Sequence, residues 1–120
     1  MDENIIFERG DVVFVGDSNG LTHGHVVRGN HPGVVIQNDR ANSTSPNIVV
    51  AFITSQMKRL DLPTHVVLQH YENLKPCVVM AEQLATVDKE DVLSFMDHLR
   101  EEDMVRVDRA IFESLQLKGV

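Results

Sequence analysis

The six residues Ile48-Val49-Val50-Ala51-Phe52-Ile53 are apolar on both alternating faces. A half-exposed strand would alternate with polar residues, so this run reads as a strand buried on both sides in the middle of a small β-core. It ends in Thr54, Ser55 and Gln56. A rigid, doubly buried strand that stops on short hydrogen-bonding side chains carries them to the rim of the core, where a ligand can meet them. Their ordinary role is merely to end a strand, and the rest of the chain has to decide between the two.

The remaining pattern is mostly β. Asp11 to Val15 reads as a first strand and Gly33 to Gln37 as a second, from their β-branched content. Between them, Gly16 to Pro32 is rich in Gly, Asn, Ser, Thr and His and reads as a long loop, either a functional lid or binding loop or a disordered segment. Asn38 to Pro46 reads as a turn region. His65 to Leu68 and Cys77 to Met80 are the fourth and fifth strands, with Tyr71 to Pro76 turning the chain between them. Asp88 has the look of an N-cap with Asp91 three residues on, and Val92, Phe95, Met96 and Leu99 follow at helical spacing. Met104, Val107, Ile111 and Leu115 repeat that spacing. The expectation is therefore an α+β, mainly β fold, with two C-terminal helices packed on a β-core. At 120 residues the chain is expected to form a single domain over 1–120.

Composition narrows the function. The acidic N-terminus and the lack of a long apolar run give the expectation of a cytoplasmic protein with no membrane contact. A net charge of -7 argues against a nonspecific nucleic-acid binder. Yet the acidity lies at the ends: from Val12 to Val87 five acids balance five bases, and five of the six histidines fall there. Arg28, Arg40, Lys58, Arg59 and Lys75 are the phosphate-contact candidates on this neutral middle. The lone Cys77 reads as a small buried hydrophobe. His23-Gly24-His25 has the outline of half a metal site, but no carboxylate follows within five residues, and the sequence is read as having no metal site.

Five blocks in collinear order resemble the MazF/PemK family of toxins from type II toxin–antitoxin systems. They are Arg9-Gly10-Asp11-Val12; His31-Pro32 before Val34-Val35-Ile36-Gln37-Asn38-Asp39; Ala51-Phe52-Ile53-Thr54-Ser55-Gln56; Leu62-Pro63-Thr64-His65-Val66; and Glu82-Gln83 before Thr86-Val87-Asp88-Lys89. The resemblance spans Arg9 to Leu117. It implies a small SH3-like β-barrel, homodimeric, that cleaves single-stranded RNA at short motifs with no metal or other cofactor and is silenced by a cognate antitoxin protein. It places the family's catalytic hydroxyl on Thr54, with Ser55 and Gln56 adjoining it, and makes Thr64 an RNA-contact candidate. With Arg28 and Lys58 from the charge reading and Gln37 and Asn38 from the second block, Gln56 and Thr64 make up the expected RNA-binding set. It also exposes two departures. Where the family carries a catalytic arginine just before the proline of the second strand, this chain has His31. Where the Gln-Leu-x-Thr block usually carries a basic residue, it has Ala85.

The chemistry of the reaction asks for the same parts. Metal-free cleavage can use the substrate's own 2′-OH as nucleophile, so a protein must take that proton, stabilise charge on the phosphorane and see the 5′ oxygen protonated. Hydroxyls can donate to phosphate oxygens. A histidine in place of arginine gives up a permanent bidentate cation and brings a side chain that titrates near neutral pH, so His31 joins Thr54 and Ser55 as a catalytic candidate. Two other readings stay open at this level: a catalytically weak, antitoxin-binding module, and a gyrase-binding poison of CcdB-like fold.

Overall fold

The computed structural model describes residues 5–16 and 29–118. Most of the expected long loop, with His23, His25 and Arg28, lies outside the described residues. Among the described residues six strands form one antiparallel sheet: β1 (Asp11–Val15), β2 (His31–Val35), β3 (Asn47–Thr54), β4 (His65–Leu68), β5 (Cys77–Asp88) and β6 (Val92–His98), in the order β4-β5-β3-β2-β1-β6. A six-residue helix α1 (Asp39–Thr44) joins β2 to β3, and α2 (Glu101–Leu115) closes the chain. The α+β, mainly β class is as expected.

β3 sits between β2 and β5, and its two faces enter two different cores. Ala51 and Ile53 join Val12, Val34, Val66, Leu68, Val79 and Ala81, the side that α2 covers with Met104, Val107 and Ala110. Ile48, Val50 and Phe52 join Phe7, Val13, Val15, Val35 and Val92 on the other. Burial on both faces explains a run with no polar alternation.

Four boundaries differ from the sequence expectation. The second strand starts at His31 rather than Gly33, because His31 and Pro32 pair with Val15 and Phe14 on β1. Asn38 to Pro46 is not all turn: Asn38 caps α1 by accepting from the Ala41 N–H at 2.9 Å. β5 runs on to Asp88, pairing Leu84 to Asp88 with Asn47 to Ala51 after a bulge. Finally, Asp88 does cap a helix, but only the single 3-10 turn Lys89–Asp91, after which Val92–His98 is an edge strand on β1. There is thus one C-terminal helix where two were expected. The apparent helical spacing of Val92, Phe95 and Met96 is an accident of a strand with two register shifts, and Phe95 is 54% exposed.

α2 is tied down by a polar knot as well as by its apolar face. Asp103, its side chain 7% exposed, accepts from the Tyr71 hydroxyl at 2.6 Å and from Arg106 at 2.9 Å and Arg100 at 3.2 Å, while Arg100 also stacks over the Tyr71 ring at 4.1 Å. Burial pushes the Asp103 carboxyl up, but the phenol and the two guanidiniums outweigh it and hold the group below the usual carboxylate range. Since the folded value lies below the unfolded one near ~3.9, this stabilisation is complete above that pH and fades as the pH falls through the folded value. Asp103→Asn is expected to lower the unfolding free energy at pH 7 by about 1–3 kcal/mol. Chemical denaturation should show the gap between variant and wild type closing in acid; a gap of equal size at both pH values would contradict this role.

Candidate functional site

The register of β2 on β3 pairs Gly33 with Phe52 and Val34 with Ala51, and its continuation sets His31 across from Thr54 at the ends of the two strands. His31 Nδ1 lies 3.3 Å from the Ile53 carbonyl, and its ring meets Phe52 edge-on with centroids 6.4 Å apart. A carbonyl can only accept, so in the neutral imidazole this contact puts the proton on Nδ1 and leaves Nε2 bare. The Thr54 oxygen accepts from the Gln56 N–H at 3.1 Å, which orients the hydroxyl while its own proton stays free to donate. Both side chains are half-buried, and Ser55 and Gln56 are exposed just beyond. A bare imidazole nitrogen, an oriented hydroxyl and a second hydroxyl thus share one rim of the sheet.

Gly33 holds the strands close enough for this. A Cβ there would stand 3.1 Å from Val50 Cβ and Cγ2, inside ordinary contact and against atoms that cannot swing away.

The other expected site residues divide. Lys58 is exposed in the segment following Thr54. Thr64 is half-buried, its carbonyl accepting from Ala81 N at 2.8 Å. Gln37 and Asn38 already hold α1: Gln37 Nε2 donates to Asn42 Oδ1 and to the Asn47 carbonyl, each at 3.0 Å, and Asn38 is the cap. Arg59 pairs with the equally exposed Asp61 at 3.2 Å. Arg9 is committed to the Ile36 carbonyl and to Asp108.

A pair to which the sequence reading gave no role lies on the same sheet: His65 Nε2 and Glu82 Oε2 are 2.7 Å apart. Their blocks were legible; that β5 would run far enough to bring them together was not. At the opposite end of β1 from His31, Glu8, Asp11 and His98 are close enough to hold a cation. There Asp11 already accepts from the Glu8 N–H and faces His98 Nδ1, each at 2.7–2.8 Å. An open groove of about 580 Å³ beside them is lined by Arg9, His98, Leu99, Arg100, Glu101 and Met104, remote from Thr54.

With this geometry in hand, comparison with known proteins is decisive. The model of the PemK-like, MazF-like toxin of type II toxin–antitoxin systems matches residues 8–115. The chain belongs to this family. It is 39% identical over 115 residues to endoribonuclease EndoA of Bacillus subtilis, covering 94% of this chain and 97% of that relative. Among solved structures, MazF of Deinococcus radiodurans superposes with a TM-score of 0.81 at 17% identity, covering 95% of this chain and all of that one. A mycobacterial endoribonuclease in complex with its cognate antitoxin gives 0.73 at 18% identity, covering 96% and 98%. These two show that the fold of this MazF/PemK-family chain is the toxin fold.

The close β2–β3 approach is testable by stability alone. Gly33→Ala is expected to cost about 1–3 kcal/mol by overpacking against Val50, with Val50→Ala on the same background recovering part of it. Urea denaturation of the single and double variants would measure this, and a Gly33→Ala variant as stable as wild type would show that the strands have room to spare.

Proposed function

We propose that this chain is the toxin of a type II toxin–antitoxin pair: a sequence-specific endoribonuclease that cuts single-stranded RNA without a metal, inhibiting growth until an antitoxin covers it. The observation that carries the reading is the placement of His31 beside Thr54, with Nδ1 turned to the Ile53 carbonyl at 3.3 Å and Nε2 left bare. Family membership and the EndoA relative support it.

In this reading His31 Nε2 takes the proton of the substrate 2′-OH. The 2′ oxygen then bonds to phosphorus and the bond to the 5′ oxygen breaks, with solvent protonating the departing oxygen. Thr54 and Ser55 donate to the phosphoryl oxygens as charge builds there, and the imidazolium formed on His31 supplies the nearby positive charge that an arginine would have given from the start. Gln56, Lys58 and Thr64 contact the flanking RNA; Arg28, the remaining expected contact, lies outside the described residues. Gln37, with its amide donor engaged at Asn42 and Asn47, offers RNA only its Oε1 acceptor, whereas Asn38, whose Oδ1 caps α1, offers its Nδ2 donor.

The toxin works as a homodimer in the cytoplasm, where messenger RNA is found, over a single domain. Partner surface is available: Leu93 and Phe95 on the edge strand β6 are each more than half exposed, as are Val105 and Leu115 on α2. No helix among the described residues is long and apolar enough to cross a membrane.

Incubating purified protein with a mixed RNA pool in EDTA should give discrete cuts; cutting that needs added divalent metal would sink the proposal. Thr54→Val, which keeps the shape and drops the donor, should slow cleavage by ~10²–10³-fold with folding intact. His31→Ala should slow it too, by removing the base that takes the 2′-OH proton. A folded, dimeric His31→Ala variant that cleaves at the wild-type rate would remove His31 from the mechanism.

A further inference from the structure

We infer that Glu82, fixed in place by His65, reads a base flanking the cut and selects bases that carry an exocyclic amine. The inference rests on the endoribonuclease reading and adds a specificity-determining residue to it. His65 lies on β4 with its side chain 9% exposed, whereas the Glu82 side chain is 38% exposed. The ring is therefore inside the fold and the carboxylate at its surface, joined by the 2.7 Å contact from Nε2 to Oε2. A carboxylate accepts and does not donate, so Nε2 carries the proton.

That tautomer leaves His65 Nδ1 as a bare acceptor, and it is buried with no hydrogen-bond partner. Folding gains little from a buried ring with an unsatisfied nitrogen, and such groups call for a reason. What the arrangement achieves is a surface carboxylate whose position is set from below, with Oε1 free to accept.

Its place on the sheet fits a substrate contact. Val78 on β5 pairs with Thr54 on one side and Val67 on the other, and His65 pairs with Met80 two residues along, so all of these lie on the sheet face that carries the Thr54 side chain. With strands ~4.8 Å apart and ~3.3 Å per residue, His65 stands ~12 Å from Thr54, beyond the cleaved link but within reach of a neighbouring nucleotide. The half-buried Val67 and Met80 lie between as an apolar floor. Cytosine, adenine and guanine each offer an exocyclic amine to a carboxylate, whereas uracil offers only its N3–H, flanked on both sides by carbonyl oxygens that a carboxylate repels.

The test is cleavage of a randomised RNA pool in EDTA, sequencing the positions around the cut, alongside binding selection from an uncleavable 2′-O-methyl pool. Wild type should disfavour uracil at one flanking position. Glu82→Gln, whose amide can donate to a uracil oxygen, should relax that preference about tenfold. His65→Phe, which fills the space but frees the carboxylate, should relax the same position, and His65→Gln, which restores a donor, should recover part of it. Unchanged base preference at every position in Glu82→Gln and His65→Phe would overturn the inference while leaving the nuclease reading intact. A wild type that cuts nothing yet shows the amine preference in binding, lost in Glu82→Gln, would overturn the nuclease reading and keep the inference.

Discussion

The burial of β3 on both faces is the constraint that the rest of this molecule depends on. A strand that gives Ala51 and Ile53 to one core and Val50 and Phe52 to the other cannot slip its register by one residue without putting every side chain in the wrong core. It cannot shift along its neighbours either, because β2 and β5 pair with it on both edges. Thr54, its last residue, therefore inherits a fixed position without making any strong contact of its own. His31 is fixed from the other side: its strand is clamped between β1 and β3, and Gly33 lets the latter come close. A small protein that does chemistry with two or three side chains needs them placed to within a fraction of an ångström, and rigid strands do this better than loops.

Much of this was readable from residue patterns, and the failures have physical causes. Asp11–Val15 and His65–Leu68 fall where the sequence put them, because short β-branched runs flanked by turn residues leave little choice. The second half of β5 was invisible: Glu82, Gln83, Ala85 and Thr86 lie on a partly exposed strand with a bulge, so neither propensity nor alternation marks it. β6 was read as a helix because Val92, Phe95, Met96 and Leu99 have helical spacing. Two register shifts on β1 spoil its period-two pattern, and pairing along a buried strand overrides weak local preference. α1 is too short and too rich in Asn and Ser to announce itself, and depends on the buried Asn42 and on Gln37 for its place.

The site was legible in a different way. Thr54 stood out because a doubly buried strand ends there, and His31 because it occupies a position where the family carries an arginine. That the two face each other across β2 and β3, and that the Ile53 carbonyl selects the tautomer of His31, are nonlocal facts no pattern in one chain states. The same holds for Tyr71 and Asp103, 32 residues apart in sequence and bonded in the fold, and for His65 and Glu82. In the proposed mechanism, histidine in place of arginine changes the kind of help available, from a standing charge to a proton acceptor that becomes charged as it works.

At the centre of the proposed mechanism the substrate's own 2′-OH attacks, with the protein supplying a base and hydroxyl donors. Mass analysis of the fragment ends after cleavage in EDTA tests it most directly, using paired RNAs that differ only by a 2′-deoxy nucleotide on the 5′ side of the cut. The ribose substrate should yield 2′,3′-cyclic phosphate and 5′-hydroxyl ends, and the deoxy one should not be cut. Ends bearing 5′-phosphate and 3′-hydroxyl, or efficient cutting of the deoxy substrate, would contradict it.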